Sequence, residues 1–232
     1  MLSLVVPIYN EAENVENLLN NIHKNINIPM EILFIYDMDW DNTLPVIKSI
    51  SKNYNSEIKL IKNKYSKGVL NGIKTGFEEA KNKAILVIMA DLSDDLSIVN
   101  GMYDMISNQG YDIVCGSRYA RGGKQIGGPI IKKTISKLAG LSLHFLTGIP
   151  THDITNSFKM YNKDFLKRIN IESTGGFEIG MEITVKAFVM GAKIGEIPSV
   201  WTDRVKGKSR FKLLKWLPKY LKWYFYAFKK FF

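Results

Sequence analysis

Short apolar runs alternate along the first half of the chain with longer segments in which apolar residues recur every three or four positions. The helical segments are Glu11–Asn25, Asn42–Asn53, Gly68–Asn82 and Asp95–Asn108. The apolar runs that frame them are LSLVVP, EILFIYD, EIKLIKN, AILVIMAD and DIVCGS. This alternation predicts βαβ units and an α/β fold with a mainly parallel sheet and helices on both faces.

The second half of the chain follows a looser pattern. Tyr119–Pro129 contains four glycines and two cations, which is typical of a mobile lid. A helix is expected over Ile130–Leu146, a strand over Ser157–Tyr161 and a helix over Phe177–Met190. The run KIGEIPSVW predicts a last strand. We therefore expect one domain over residues 1–210 and a tail over residues 211–232.

Polar residues follow three of the predicted strands. Pro7–Glu11, Asp37–Asp41 and Asp91–Asp95 stand where the first, second and fourth strands end. Because open parallel sheets bind ligands at the carboxyl ends of their strands, these loops are expected to converge on one crevice.

Composition and charge narrow the possible functions. The chain is 46% apolar, enough for a packed core, and its net charge is +10. Ten lysines and arginines and no acids lie from Arg204 to Phe232, so the excess charge is in the tail. The single Cys115 lies in an apolar run, as a buried thiol in a reducing compartment would. The first residues favour a strand over a signal peptide, so we expect an intracellular protein.

Asp91 is the candidate for metal chemistry. A carboxylate at a strand end suits Mg²⁺, which takes one or two carboxylates together with substrate phosphates. Capping of the next helix by Asp91, Ser93, Asp94 and Asp95 is the alternative. The sequence has neither a Walker A motif nor a G-x-G-x-x-G turn after the first strand. A bound nucleotide would therefore be held by acidic loops and a metal.

Six motifs in order resemble those of family 2 glycosyltransferases, in particular the polyprenyl-phosphate hexose synthases. The motifs are VVPIYNEAENV, YDMDWDNT, MADLSDD, GSRYARGG, DITNSFKMY and DRVKGKSRF. The resemblance extends from Val5 to about Phe211. It implies a GT-A fold, a nucleotide sugar as donor and a divalent metal, Mg²⁺ or Mn²⁺, as cofactor.

The resemblance also implies roles for individual residues. Donor-side positions match Pro7, Tyr9 and Glu11 around the nucleoside, Asp37 near the base, Asp91 at the diphosphate and metal, and Arg204 and Lys206 over the diphosphate. Acceptor-side positions match Arg118, Lys132 and Ser136 at a phosphate. Asp153 and Glu182 match acidic positions that would orient the donor sugar.

Two positions depart from the family pattern. Met89 stands where the family has the first aspartate of Asp-Ala-Asp, so one metal ligand is missing. Either Ser93 and Asp94 compensate, or Arg204 and Lys206 share the neutralisation of the diphosphate. Lys132 replaces an arginine, which keeps the charge but loses the bidentate geometry.

A phosphate is a chemically reasonable acceptor. Its second pKa is about 6, so at pH 7 it is mostly dianionic and needs positioning without a general base. A hydroxyl acceptor would need a base, for which Glu178 and Glu182 are the candidates, since they share one face of a predicted helix. The alternative for these glutamates is a surface face, with Lys186 paired to Glu182. For His152, beside Asp153, we expect a role in a turn.

The tail combines a stripe of lysines with aromatic residues. Lys212, Lys215, Lys219 and Lys222 fall on one side of a helix, and ten aromatic residues lie in residues 211–232. Six lysines exclude a spanning helix and favour one lying in an anionic membrane surface, so that deletion of the tail would leave the fold intact. Packing of its aromatics in the core is the alternative, and nothing else in the chain favours nucleic-acid binding.

These observations predict a peripheral enzyme on the cytoplasmic face of a membrane. It would transfer a hexose, from GDP-mannose or UDP-glucose, to a polyprenyl (dolichyl) phosphate with inversion. One alternative is transfer to a hydroxyl of a glycolipid or polysaccharide precursor. Another is a catalytically silent nucleotide-sugar-binding partner at the membrane.

Overall fold

A computed structural model describes residues 1–204 and 213–231. Its main sheet has seven strands in the order β3-β2-β1-β4-β7-β5-β8, and β6 and β9 form a separate two-stranded sheet. The strands are β1 (Leu2–Ile8), β2 (Met30–Tyr36), β3 (Glu57–Lys62), β4 (Ala84–Val87), β5 (Ile113–Ser117), β6 (Lys124–Ile126), β7 (Lys159–Asn162), β8 (Ile194–Pro198) and β9 (Val200–Thr202).

The predicted parallel sheet is confirmed, with one exception to the strand direction. Strands β1 to β4 pair in parallel, and so do β5 and β8. Strand β7 lies between β4 and β5 and runs antiparallel to both. It begins at Lys159, two residues later than the predicted start.

Most helices follow the predicted segments with shorter ends. The helices are α1 (Val15–Asn25), α2 (Thr43–Ile50), α3 (Val69–Glu79), α4 (Val99–Ser107), α5 (Ile130–Thr147), α6 (Lys163–Leu166), α7 (Glu178–Val189) and α8 (Leu213–Tyr226). Helix α5 extends one residue beyond the prediction, and the short α6 was not predicted. Helix α4 starts later than predicted because a 3-10 turn, Leu96–Ile98, precedes it. Asp95 caps that turn by accepting the N–H of Ser97. The cap is thus Asp95 rather than Asp91.

Alternate residues of the strands build a core on each face of the sheet. Val5 and Leu33 face one core, with α3 and α7, while Leu4 and Phe34 face the other, with α1 and α2. Gly76 lets α3 lie directly on β1, because a Cβ there would stand 2.1 Å from a methyl group of Val5. This close packing sets the position of the first turn of α3 at the strand ends.

The glycine-rich stretch, expected to be a mobile lid, is partly a strand. Its residues Lys124–Ile126 form β6, which pairs with Val200–Thr202 of β9. The pairing continues beyond the strand, where Ile126 O accepts the N–H of Asp203. The stretch therefore holds the chain just before Arg204 in place.

The tail packs on the domain instead of standing apart from it. Trp223 and Ala227, in α8 and the turn that follows, are fully buried in the same core as α7. This agrees with the alternative in which tail aromatics belong to the core. This burial argues against our expectation that removal of residues 212–232 would leave the fold intact, since the deletion would remove a tryptophan from the core. Lys212 lies outside the described residues.

Candidate active site

A cavity of about 770 Å³ lies at the carboxyl ends of β1 and β2 and the start of α3, and we call it the strand-end cavity. Its walls include five of the residues predicted on the donor side, namely Pro7, Tyr9, Glu11, Asp37 and Asp91. Arg204 also lines it, and Lys206 lies outside the described residues. The polar loops that we expected to converge do so here.

Hydrogen bonds between loops fix the shape of this cavity. Asp41, after β2, accepts the backbone N–H of Asn10, after β1, at 3.0 Å. Asn10 adopts a φ of 54°, a left-handed conformation that asparagine tolerates. Asp37 accepts from the Asn63 side chain at 2.8 Å and from the Gly68 N–H at 2.9 Å. Asp37 therefore holds the start of α3 at the cavity wall.

A second cavity, of about 720 Å³, lies between α5, α7 and α8, and we call it the helix cavity. Its predicted residues are Asp91, Ser93, Arg118, Lys132, Ser136 and Arg204. Much of the remaining wall is apolar and comes from Ile135, Leu138, Ala139, Met181, Leu217, Leu221 and Phe225. It is thus a cation-bearing site continuous with an apolar groove.

The two cavities share four lining residues, Met89, Asp91, Phe177 and Arg204. A guanidinium nitrogen of Arg204 is bonded to one carboxylate oxygen of Asp91. The other oxygen of Asp91 accepts the N–H of Ser93 at 3.2 Å. This ion pair stands at the junction, where a group passing from one cavity to the other would have to cross.

The acidic side chains near the junction offer few ligands to a metal ion. Asp94 turns back to accept the N–H of Met89 at 3.0 Å, and Asp95 accepts from Ser97 and from the Val200 N–H. Among the described residues, no group of three or more His, Cys, Asp or Glu side chains is placed to hold a metal ion. Asp91 therefore fits Mg²⁺ or Mn²⁺ as one carboxylate ligand, with the other ligands coming from a diphosphate or water.

The carboxyl group of Asp94 has an unusually high pKa. Burial raises the pKa of its carboxyl to about 7, against an ordinary 3.8, and the nearby charge of Asp91 raises it as well. The N–H of Met89 opposes this rise only in part. At neutral pH a neutral form of Asp94 is therefore well populated beside Asp91.

Arg118 is clamped by Asp153. Its Nε and Nη2 donate to the two carboxylate oxygens at 2.6 and 2.8 Å, and Nη2 also donates to Thr155 Oγ1 at 3.1 Å. Burial by itself lowers the pKa of Arg118, but the charge of Asp153 outweighs this and raises it. The guanidinium is thus permanently charged and held in one orientation at the wall of the helix cavity.

Asp153 itself is fully buried behind Arg118. The position predicted to touch the donor sugar is therefore a support for Arg118 in this structure. Burial raises the pKa of Asp153 and Arg118 lowers it more strongly, so the carboxyl is ionised. The buried ammonium of Lys159 donates to the carbonyls of Ile154 and Asn156, which fixes the loop that carries Asp153.

The two glutamates of α7 do not line either cavity. Glu182 is fully buried, accepts the N–H groups of Glu172 and Ser173 at 2.6 and 2.8 Å, and pairs with Lys186 at 2.8 Å. Glu178 is also fully buried and accepts the N–H of Gly176 at 2.6 Å. The predicted i,i+4 pair is present, but in the core, and the predicted contact of Glu182 with a sugar has no support here.

The other predicted residues have simple placements. Lys132 is half-buried in the wall of the helix cavity, and Ser136 is hydrogen bonded to the Tyr119 hydroxyl. His152, expected in a turn, pairs with Glu196 instead, through its backbone N–H at 2.8 Å and its ring. Cys115 is fully buried, and burial raises the pKa of its thiol to about 11, so it is unreactive.

The sequence did not predict the aromatic and apolar side chains that line the two cavities. Phe177 lines both cavities, Trp216 lines the strand-end cavity, and Tyr220 and Tyr224 line the helix cavity. The pair of glycines before Phe177 was the available signal, because paired glycines often mark a close approach of two segments.

Known proteins resemble this chain over most of its length. Residues 3–169 match the model of glycosyl transferase family 2. The chain is 29% identical over 233 aligned positions to a dolichol-phosphate mannosyltransferase of Pyrococcus furiosus, covering 96% of this chain and 64% of that protein. It is 24% identical to a polyprenol monophosphomannose synthase of Mycolicibacterium smegmatis, covering 92% of this chain and 85% of the relative.

A solved structure shares the fold at low sequence identity. Glucosyl-3-phosphoglycerate synthase of Mycobacterium tuberculosis, crystallised with Mn²⁺, UDP-glucose and phosphoglyceric acid, superposes with a TM-score of 0.70. The match covers 98% of this chain and 79% of that one at 10% identity, so it supports the GT-A-like fold alone. Because the family model covers most of the chain, this protein belongs to glycosyl transferase family 2.

Proposed function

We propose that the protein transfers a hexose from a nucleoside diphosphate sugar to a polyprenyl phosphate, with inversion at the anomeric carbon. The observation that carries the proposal is the position of Arg118. It is a clamped cation in a cavity whose other walls are largely apolar, and the Asp91 and Arg204 pair lines the same cavity. A phosphate with a hydrocarbon tail matches both features of this cavity.

The donor is assigned to the strand-end cavity. A nucleoside diphosphate sugar needs a cleft with polar groups for the nucleoside and positive charge for the diphosphate, and Lys67 and Arg204 supply that charge. The names of the Pyrococcus and Mycolicibacterium relatives support mannose as the sugar. The Mn²⁺ and UDP-glucose of the Mycobacterium structure keep glucose and a divalent metal as candidates.

The chemistry then needs little proton transfer. An oxygen of the acceptor phosphate attacks the anomeric carbon, the bond to the diphosphate oxygen breaks, and the nucleoside diphosphate leaves with that electron pair. Arg118 and Lys132 would position the nucleophile, and Arg204 would stabilise charge on the leaving group. A divalent ion at Asp91, when bound, would supply further Lewis-acid stabilisation of the diphosphate.

The buried glutamates favour a phosphate over a hydroxyl acceptor. Glu178 and Glu182, the predicted bases for a hydroxyl, both have their carboxylates bonded to backbone N–H groups in the core. A phosphate dianion needs no such base. Two other acids, Asp91 and Asp203, do line the helix cavity and are the remaining possible bases. Of these, Asp91 is paired with Arg204.

The surface supports attachment to an anionic membrane. Helix α5 exposes Ile130, Ile131, Leu138, Phe145 and Leu146, and α8 exposes Leu221 and Phe225. The two helices contain lysines and no acidic residue. An apolar face edged by lysines is typical of helices that lie in a membrane interface.

No helix within residues 1–204 and 213–231 has the length and apolarity to cross a bilayer. We assign the protein to the cytoplasmic face, in keeping with its unreactive thiol.

The test is transfer by the full-length chain in detergent. Labelled GDP-mannose and UDP-glucose would each be offered, with Mg²⁺ or Mn²⁺, to polyprenyl phosphate and to the matching polyprenol. We expect label in the phosphate lipid and none in the alcohol, and no label with Asp91→Ala. Transfer to the alcohol or to a glycolipid hydroxyl would favour the hydroxyl acceptor. Donor binding without transfer to any acceptor would favour the silent binder.

A further inference from the structure

The C-terminal helix α8 lies between the two cavities and contributes to both. Trp216 lines the strand-end cavity, while its neighbour Leu217 lines the helix cavity. Residues farther along α8, among them Tyr220 and Phe225, continue the wall of the helix cavity. A segment that we expected only to contact a membrane therefore supplies an aromatic ring to the proposed donor cavity.

The ring of Trp216 is seated by close packing against the loop before α7. It stacks on Phe177, with ring centroids 5.7 Å apart and planes inclined by 29°. A Cβ on Gly176 would stand 1.8 Å from the Trp216 ring, so only glycine leaves room for it. Glu178 accepts the N–H of Gly176 and so holds this loop in place. The ring is thus preorganised and not simply adjacent to the cavity.

The position of the stacked pair indicates which part of a donor it would meet. Phe177 lines both cavities, as Asp91 and Arg204 do, so it lies at their junction. Trp216, stacked on Phe177, lies on the donor side of that junction. In a transfer reaction the reacting sugar must occupy the junction, and the base must lie farther away, toward Asp37 and Lys67.

We propose that Trp216 is a donor-positioning residue that packs against the transferred hexose. The flat indole can cover the apolar C–H face of a sugar ring and hold its anomeric carbon toward Arg118. This inference rests on the proposed donor role of the strand-end cavity. It adds to that role a residue from the C-terminal helix and a preference for the sugar over the nucleotide.

The experiment compares binding of nucleotide sugars with binding of the matching nucleotides. Full-length wild type, Trp216→Ala and Gly176→Ala would be titrated calorimetrically with GDP-mannose, UDP-glucose, GDP and UDP, without acceptor. Contact with the hexose predicts that the Kd for the nucleotide sugar rises about tenfold in both variants, which corresponds to about 1.4 kcal/mol. The Kd for GDP or UDP should change less than about twofold.

Leu217→Ala is the matched control, because the neighbouring side chain faces the other cavity. It should leave all four donor-side Kd values unchanged and raise the KM for polyprenyl phosphate. Trp216→Phe keeps a ring on Phe177 and should lose less affinity in the same direction, which also covers the case in which Trp216→Ala does not fold.

Three results are decisive. Equal losses for nucleotide sugar and nucleotide would mean that Trp216 only shapes the cavity, and this would overturn the proposal. Wild-type affinity for nucleotide sugars in both Trp216→Ala and Gly176→Ala would overturn it too. If the wild type binds none of the four ligands, the donor role of the strand-end cavity fails, and the role of Trp216 fails with it.

Discussion

The guanidinium of Arg204 is bonded to the carboxylate of Asp91, although 113 positions separate the two residues in the chain. The pair places one positive and one negative group at the junction between the strand-end and helix cavities. In this arrangement Asp91 is neutralised by a protein cation. A diphosphate entering the junction would find Arg204 already placed beside the carboxylate that we propose as a metal ligand.

Replacement of Asp91 by asparagine should remove most of the transfer activity. The amide keeps the size of the side chain but loses the charge that holds Arg204 and that would bind a divalent ion. We expect kcat to fall by about a hundredfold or more, since loss of one preorganised electrostatic group typically costs that much. Donor turnover measured at saturating acceptor would check it. Near-normal kcat would remove Asp91 from the reaction.

Metal binding should depend on the nucleotide. Asp91 is paired with Arg204, and the nearby Asp94 and Asp95 accept other N–H groups, so among the described residues few carboxylate oxygens are available to a metal ion. We therefore expect little Mn²⁺ binding to the protein alone. Addition of GDP or UDP should increase Mn²⁺ binding at least tenfold, because the diphosphate supplies the missing oxygen ligands. Electron paramagnetic resonance of free Mn²⁺ measures this without any turnover. Tight, nucleotide-independent binding would show that the protein holds the ion by itself.

Arg118 and Asp153 should behave as one unit in acceptor binding. Arg118→Ala is expected to raise the KM for polyprenyl phosphate at least tenfold and to change donor affinity little, because the guanidinium lines only the helix cavity. Asp153→Asn should have a similar effect on KM, since it releases the guanidinium from its fixed orientation. The loss in the double variant should be clearly smaller than the sum of the two single losses, and additive losses would contradict the coupling.

Asp153→Asn should also reduce stability. The substitution leaves the Arg118 guanidinium, with a side chain only 11% exposed, without its charge partner. Removal of one member of a buried pair typically costs about 3–5 kcal/mol in the free energy of unfolding. Chemical denaturation at neutral pH checks the value, and a loss below about 1 kcal/mol would mean that solvent replaces the partner.

The buried Asp94 predicts a pH-dependent stability. Its pKa in the folded protein, about 7, lies above the ordinary 3.8, so the folded state holds the proton more tightly than the unfolded state does. The resulting stabilisation is complete below about pH 4 and is lost as the pH rises through 7, by a few kcal/mol in total. Asp94→Asn keeps an oxygen for the Met89 N–H and should lose this dependence. Parallel curves of unfolding free energy against pH for the two proteins would refute it.

Substitutions of two neighbouring aromatic residues of α8 should distinguish a role in core packing from a role in membrane contact. Trp223 is 1% exposed and Phe225 is 66% exposed. Trp223→Ala should lower the free energy of unfolding by about 3–5 kcal/mol. Phe225→Ser should leave stability almost unchanged and weaken binding to anionic vesicles, measured by sedimentation. Unchanged vesicle binding in Phe225→Ser would exclude this face of α8 from the interface.

Much of the fold was predictable because buried parallel strands consist of continuous apolar residues. Strands β1, β2, β4 and β5 stand out for this reason, whereas β3 alternates apolar and charged residues. The polar loops after β1, β2 and β4 gave the donor side of the site. The position of Arg118, directly after β5, was predictable on the same basis. The strand β7 was expected, but its antiparallel direction was not, since the pattern of residues along one strand does not report which neighbours it pairs with.

The features of the site that the sequence did not predict depend on contacts between segments that are far apart in the chain. The clamp between Arg118 and Asp153 joins residues 35 positions apart, and no periodicity reports such a pair. Glu182 was misjudged because α7 is buried on almost all sides, so its charged residues lie in the core and not on a surface face. Trp216 could not be assigned to the donor side, since its place depends on how α8 packs against the loop at Gly176.

Strand β7 has a consequence for the way the molecule can be assembled. It fills the gap between β4 and β5 although it follows β5 by some 40 residues in the chain, so the middle of the sheet is completed late. A nascent chain that ends before Asn162 would leave the hydrogen-bonding groups of two interior strands uncovered, in the part of the sheet that is later most protected. We therefore expect the part of the sheet that carries the strand-end cavity to gain its full stability only after β7 has been synthesised, so that the segments before and after β5 are not separable modules.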